Sequence, residues 1–314
     1  MIVFPKIILC ALFIIKATSS YGERTGKTES KCKEYVKYAC DNPAASATSK
    51  TSKLDGIING VTTSLEMLPH MAYIALFKKG DRTSSIPVSV CSGSLISDNF
   101  ILSAGHCSHD VVRDDQGIFG KVKLGSASKS FQEPTGEQYG VIEMYVHPNY
   151  SPTDQENRND VLLLKLHRKV KFSPFTRPIC LNTKFPNNRK KAIVSGWGDD
   201  ENGNSAEYLK SVLVYIDDEI VKWKCNFALK NRDFNSTTEV CAGHPLDMTG
   251  FSSGDSGGPL QISLKTGCSN KYTYEQISIS ARTIKQENGP MMMNIYTNVE
   301  LYIPWIESIV WPDK

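Results

Sequence analysis

Residues 248–260, MTGFSSGDSGGPL, set Ser256 in a run of glycines, with Asp255 before it and Pro259 close behind. Peptide hydrolysis by a serine needs a nucleophile, a base to take its proton, a group that orients the base, and donors for the oxyanion. Ser256 is the candidate nucleophile. Gly254, Gly257 and Gly258 let the chain turn sharply enough to expose its hydroxyl, and let the N–H groups of Gly254 and Ser256 converge on one developing charge. For the base, LSAGHCSHD supplies His106 behind an apolar run and directly before Cys107. For the orienting carboxylate, NDVLLLKL puts Asp160 at the head of a strongly apolar stretch. An acid entering a core is costly unless something pairs with it, and an imidazolium formed during catalysis is such a partner. His109, His147, His167 and His244 read as structural or solvated.

These residues need a scaffold, and the chain is long enough for one: 314 residues, 40% apolar, can bury a substantial core. Its +3 formal charge comes from 36 basic and 33 acidic residues mixed along the chain, which leaves no electrostatic footprint for nucleic acid or an anionic membrane. Residues 1–20 carry Lys6, the apolar run Ile7–Ile15 and small residues around Ala17 and Ser19. That is the layout of a cleaved secretory signal, so the mature protein is expected to be secreted and extracellular. Loss of Cys10 leaves eight cysteines, an even number in an oxidising compartment, which points to disulfides. None forms a CxxC pair or a Cys/His ligand spacing, so no metal and no cofactor is expected. Asn149 and Asn235 head two glycosylation sequons.

Residues 21–56 are rich in Lys, Ser, Thr and Glu and read as an exposed leader or linker. From Ile57 the character changes to short β-branched and aromatic runs parted by turn residues, among them MAYIALF, KVKLG, KAIVSGWG and MNIYTNV. This spacing predicts an all-β sandwich or barrel over 57–314. Helical periodicity is read only at the end, in VELYIPWIESIVWP, with Leu301, Trp305, Ile306 and Ile309 on one face and Pro304 in the first turn.

The order His106 in SAGHC, Asp160 in NDVLLLKL and Ser256 in GDSGGP, with IING at 57 and SGWG at 195, resembles the trypsin/chymotrypsin-type serine endopeptidases. The match runs from Ile57 to the C-terminal helix. LPHMAYI and the cysteine-bearing leader give it the flavour of secreted arthropod cascade proteases, though two leader cysteines are too few for a clip module. The resemblance implies a double six-stranded antiparallel β-barrel with a C-terminal α-helix and the site between the barrels. It implies disulfides Cys91 with Cys107 and Cys225 with Cys241. It implies a zymogen, cut by an upstream activating protease so that the new Ile57 ammonium pairs with buried Asp255. Expected partners are a protein or peptide substrate, that activator and a serpin-type inhibitor, around a monomer. Cys180 is expected to hold Cys32 or Cys40.

Three departures bear on function. Gly56 precedes Ile57 where the family usually has Arg or Lys, which implies an activator of unusual specificity or a protein rarely activated. Ser252 stands where the family usually has a cysteine, and its partner cysteine is missing between Ala281 and Tyr296, so the substrate pocket should be softer. The pocket residue six before the nucleophile is Gly250, so a Lys/Arg preference is disfavoured, with Asp247 a weak substitute. Ser280 and Arg282 fall on the pocket wall; Arg282 either blocks the pocket, favours an acidic side chain, or points to solvent. These departures keep a second class open: a catalytically silent, protease-like binding protein or cascade cofactor.

Overall fold

The computed structural model describes residues 21–42, 61–63, 67–77, 87, 89–111, 117–154, 158–186, 190–200, 203–216, 218–229, 235–246, 249–264, 273–285 and 292–313. The signal segment, Gly56, Ile57, Asp247 and Cys268 lie outside them.

After the short β1 (Val61–Thr62), six strands close a first barrel: β2 (Met71–Leu76), β3 (Ser89–Leu95), β4 (Phe100–Ser103), β5 (Gly120–Leu124), β6 (Glu137–Val146) and β7 (Leu162–Leu166), in the order β2-β3-β4-β7-β6-β5. Every residue of β2 is buried, as are Leu162, Leu163, Leu164 and Leu166 of β7. β7 is apolar on both faces because one side faces the barrel interior and the other the packing around it.

A second sheet is built from β8 (Cys180–Leu181), β9 (Lys191–Gly196), β10 (Lys210–Tyr215), β11 (Glu239–Ala242), β12 (Pro259–Ser263), β13 (Tyr274–Lys285) and β14 (Met292–Asn298). Its order is β1-β10-β9-β12-β13-β14-β11, with β8 parallel to β13. Tyr215 and Gly243 exchange backbone hydrogen bonds of 2.7 and 3.2 Å, which join the ends of β10 and β11 and curl the sheet into a second barrel. The expected all-β, two-barrel architecture is therefore present. The second sheet has eight strands rather than six because the two-residue β1 and β8 pair onto it.

Among the described residues, three α-helices frame the barrels. The C-terminal α3 (Ile303–Val310) follows a 3-10 turn over Val299–Tyr302 and has Pro304 in its first turn, as the sequence predicts. Its buried stripe is Ile303, Ile306 and Val310; Leu301, Trp305 and Ile309 are only partly buried beside it. α2 (Glu219–Ala228) was not legible as a helix. Asp218 caps it by accepting from the Ile220 and Val221 N–H groups, and Ile220, Trp223 and Phe227 lie exposed, blurring the one-sided pattern that marks a buried helix.

α1 (Tyr21–Asp41) overturns the expectation of an exposed leader over 21–41. Thr28, Cys32, Tyr35 and Ala39 recur at helical spacing and form one face. Thr28, Tyr35 and Ala39 on this face are buried. Cys32 is bonded to Cys180, and the Tyr35 and Tyr38 hydroxyls donate to the Ile96 and Phe172 carbonyls at 3.1 and 2.7 Å. Cys40 is also disulfide-bonded. The remaining described bonds are Cys91–Cys107 and Cys225–Cys241, the two pairings that the resemblance implies.

The N-terminal part of α1 also supplies donors to a buried acid. Glu307 of α3 is 2% exposed, and its Oε1 accepts from the Thr28 N–H at 2.8 Å and hydroxyl at 2.6 Å. Deleting a partner of a buried acceptor costs about 1–3 kcal/mol. Thr28→Val, which keeps the shape, is expected to lower stability by that amount in equilibrium denaturant unfolding, whereas Lys33→Ala on the exposed face should change it by less than about 0.5 kcal/mol.

Candidate active site

Strand β4 ends at Ser103, and the chain turns at once into a 3-10 turn, Gly105–Ser108, that carries His106. Asp160 stands two residues before β7, with its side chain fully buried. The two antiparallel strands are neighbours in register, Ser103 opposite Leu162, so the residues just beyond their ends are brought together. Asp160 Oδ2 lies 2.8 Å from His106 Nδ1, and Oδ1 accepts from the His106 backbone N–H at 2.7 Å. The carboxylate thus fixes both the ring and the peptide that carries it. Gly105 leaves room for this: a Cβ there would stand 3.1 Å from Asp160 Oδ1 and 3.2 Å from the Tyr150 ring. Tyr150, read in the sequence only as the middle of a sequon, lies with the carboxylate against Gly105.

Burial alone would lower the His106 pKa, but the charge and hydrogen bond of Asp160 outweigh it and raise it above the ordinary histidine value. Asp160→Asn should therefore bring the His106 pKa down. A ring-proton NMR titration that finds it unchanged would contradict this account of the pair.

Ser256 lies on the turn leading into β12. Gly257 beside it has φ +79°, and a Cβ there would collide with Ser103 Oγ and the Ser92 carbonyl. The Ser256 turn is therefore pressed against the end of β4, just ahead of His106; Cys107 Sγ is 4.0 Å from the Ser256 carbonyl oxygen. Gly254 has φ +92° and faces the Gly198 Cα, a conformation that L side chains rarely adopt.

The carbonyls of this turn are all engaged. The Asp199 N–H donates to the Ser253 carbonyl (2.8 Å), Ser92 Oγ to that of Gly254 (3.0 Å), the Gly258 N–H to that of Asp255 (2.9 Å) and the Ser92 N–H to that of Ser256 (2.8 Å). The N–H groups of Gly254 and Ser256, by contrast, donate to no acceptor among the described residues. Two unclaimed donors beside a hydroxyl are what an oxyanion requires.

Asp255 anchors the turn from inside the protein. It is fully buried, with Oδ1 accepting from the Gly198 N–H at 2.7 Å and Oδ2 from the Ser252 N–H at 3.0 Å. Desolvation exceeds the help of these bonds and pushes its pKa up to about 7.

Among the residues expected to line the pocket, Ser280 pairs with the Ser256 turn: its N–H donates to the Gly258 carbonyl (2.9 Å), and its own carbonyl accepts from the Gly257 N–H (2.8 Å). Arg282 does not point to solvent. Its Nη2 lies 2.7 Å from Glu239 Oε1, with both side chains nearly buried, so its charge is matched within the chain. That removes the ground for an acidic-substrate preference. Gly250 lies against Asn294. Ser92, Glu239 and Asn294 were missed from sequence; Asn294 could have been found from β-strand alternation, which puts it on the face of Tyr296.

Cys91, His106 and Cys107 cluster with ligand-type atoms within 4.8 Å, but the two sulfurs are bonded to each other and offer no thiolate. The sequon residues Asn149 and Asn235 are both exposed. No helix among the described residues is long and apolar enough to cross a membrane.

With fold and site in view, comparison with known proteins gives the class. The trypsin family model matches residues 57–306, and the chain belongs to that family of serine endopeptidases. It is similar to Melanization protease 1 of Drosophila melanogaster, 31% identical over 82% of this chain and 66% of that protein, and to Cathepsin G of Mus musculus, 28% identical over 80% and 84%. The chain spans 39% of a further relative, Serine protease Hayan of Drosophila melanogaster. Among solved structures, mouse brain neuropsin, a serine protease, superposes with a TM-score of 0.61 at 25% identity, over 81% of this chain and all of that one.

Proposed function

We propose that this protein is a secreted zymogen which, once cut before Ile57, hydrolyses peptide bonds in proteins. Ser256 attacks the carbonyl, His106 takes and then returns the proton, Asp160 orients the imidazole, and the Gly254 and Ser256 N–H groups hold the oxyanion. The observation that carries this reading is the doubly hydrogen-bonded His106–Asp160 pair next to a turn whose two candidate oxyanion donors are unclaimed. Similarity to Phenoloxidase-activating factor 3 of Holotrichia diomphalia, 30% identical over 81% of this chain, supports a protein substrate and an upstream activating protease. Control by a serpin-type inhibitor, glycans on Asn149 and Asn235, and a monomeric state belong to the same proposal. A fluorophosphonate probe should label Ser256 in the cleaved protein and not in Ser256→Ala. No labelling after N-terminal sequencing has found Ile57 free would leave the silent, protease-like binding protein as the better account.

His106 must be neutral to act as base, so kcat/KM should rise with pH through its raised pKa and level off above it.

Asp255 gives activation its driving force. Its folded pKa, about 7, lies above the value near 4 of an unfolded aspartate. The resulting stabilisation is therefore complete below about pH 4 and is lost as pH rises through 7, each tenfold difference in proton affinity between folded and unfolded chain being worth about 1.4 kcal/mol. A new Ile57 ammonium reaching the buried carboxylate would offset that loss. Cleavage before Ile57 is expected to raise Tm by several degrees at pH 8 and by much less at pH 4, where the carboxyl is neutral. Equal changes in Tm at both pH values in differential scanning calorimetry would rule this coupling out.

A further inference from the structure

The two candidate oxyanion donors belong to the peptides 253–254 and 255–256, and the carbonyls of those peptides fix where the donors point. In a trans peptide the C=O and N–H face opposite ways. The Ser253 carbonyl accepts from the Asp199 N–H at 2.8 Å, so the Gly254 N–H points away from Asp199. The Asp255 carbonyl accepts from the Gly258 N–H at 2.9 Å, so the Ser256 N–H points away from Gly258. The peptide between them, 254–255, is held at both ends: the Asp255 N–H donates to the Ser252 carbonyl at 3.0 Å, and the Gly254 carbonyl accepts from Ser92 Oγ at 3.0 Å. Gly254, at φ +92° and without a Cβ, resists rotation of that middle peptide very little by itself, so these two bonds set its orientation.

Ser92 supplies its bond from the other barrel. It is fully buried in β3 and makes three hydrogen bonds: its N–H donates to the Ser256 carbonyl at 2.8 Å, its hydroxyl to the Gly254 carbonyl, and its carbonyl accepts from Ser103 Oγ at 2.9 Å. Ser103 ends β4, three residues before His106, so Ser92 links the segment that carries the histidine to the turn that carries Ser256. Two glycines leave room for its side chain: a Cβ on Gly196 would stand 2.9 Å from Ser92 Oγ, and one on Gly258 3.2 Å from Ser92 Cβ. The other supports of the turn are internal as well, Asp199 and Gly258 on its carbonyls, Gly198 and Ser252 on the Asp255 carboxylate. None of these donors is a newly made chain end.

We propose that Ser92 is a positioning residue for the oxyanion donors, and that through it and its companion donors the uncut chain already hydrolyses peptide bonds, more slowly than the cut one. What the cut adds is a counter-charge for Asp255 rather than the shape of the turn. Without the Ser92 hydroxyl the Gly254 carbonyl loses its partner and the 254–255 peptide is held only at its N–H end. The Gly254 N–H is then free to drift from the position in which an oxyanion meets it. Gly56 stands before Ile57 where the family usually has Arg or Lys, and a chain that is seldom cut still works under this arrangement.

This inference rests on the catalytic reading above, and the test separates the two. The full chain is prepared uncut and cut before Ile57, and each form is treated with a fluorophosphonate and run on a reducing gel. Opening Cys32–Cys180 and the other disulfides there frees α1 from a cut chain but not from an uncut one. The expected result is a labelled full-length band from the uncut form, with faster labelling of the cut form. Ser92→Ala should slow the labelling of both forms, and lower kcat of the cut form about tenfold with KM unchanged. Ser94→Ala, two residues along the same strand, removes a buried hydroxyl's 2.6 Å bond to Gln276; it should cost stability and leave kcat as it is, a contrast that a merely structural role for Ser92 would not produce. Labelling of neither form defeats the catalytic reading and this inference with it. Labelling of the cut form alone overturns this inference and leaves the catalytic reading standing, and that comparison decides the outcome even where Ser92→Ala fails to fold. A kcat that Ser92→Ala leaves intact, or a loss confined to KM, overturns the role of Ser92.

Discussion

The buried Asp255 carboxylate is the constraint from which the active-site turn takes its shape. A carboxylate at zero exposure must be met by donors, and here they are the peptide N–H groups of Gly198 and Ser252. A Cβ on Gly198 would collide with the same carboxylate, so the WG step after β9 is small because the acid occupies that space. The Gly198 bond ties the Ser256 turn to the end of β9, the Ser252 bond closes the turn on itself, and the Ser92 hydrogen bonds tie it to β3 of the other barrel. Ser256 is thus held where the two barrels meet. Asp160 plays the corresponding role on the first barrel, gripping His106 by ring and backbone. Two buried acids, one per barrel, set the relative position of His106 and Ser256.

They differ in how their charge is met. Asp160 faces an imidazole whose raised pKa brings it closer to carrying a proton. Asp255 has only neutral donors in its immediate shell, and its raised pKa measures what is lacking. A fold that leaves one acid short of a counter-charge is more stable when one arrives, which is how a chain end created elsewhere can control a turn. Helix α1 is no mere appendage in this arrangement. α1 is bonded to Cys180 and supplies the donors for Glu307, so cutting the chain after it would not detach it.

The chemistry was more legible in the sequence than the packing. Glycines at 254 and 257 are required by positive φ and by close backbone approach, both local facts that leave a local mark. β7 reads plainly because it is apolar on both faces. α1 was hidden because its buried face is only one residue wide per turn in an otherwise polar stretch, and its value lies in partners such as Cys180 and Glu307 more than a hundred residues away. α2 was hidden for the opposite reason: its exposed Trp223 and Phe227 stack on each other, so an apolar side chain did not mean a buried one. Arg282 shows the same limit at the site. Its partner Glu239 is 43 residues away, and only the pairing of β11 and β13 with β14 brings the two together.

That pairing decides how the missing disulfide at Ser252 is to be understood. A covalent tie between pocket walls holds whatever the substrate, whereas here the walls are joined by polar contacts: Asn294 reaches from β14 to the Phe251 carbonyl and to Thr283, and Arg282 reaches from β13 to Glu239. Asn294 Oδ1 and the Tyr296 hydroxyl beside them are buried with no partner among the described residues. A buried polar network is strong when every member is satisfied and costly when some are not. The network that stands in place of a covalent tie is therefore only partly satisfied, and it holds the walls less firmly.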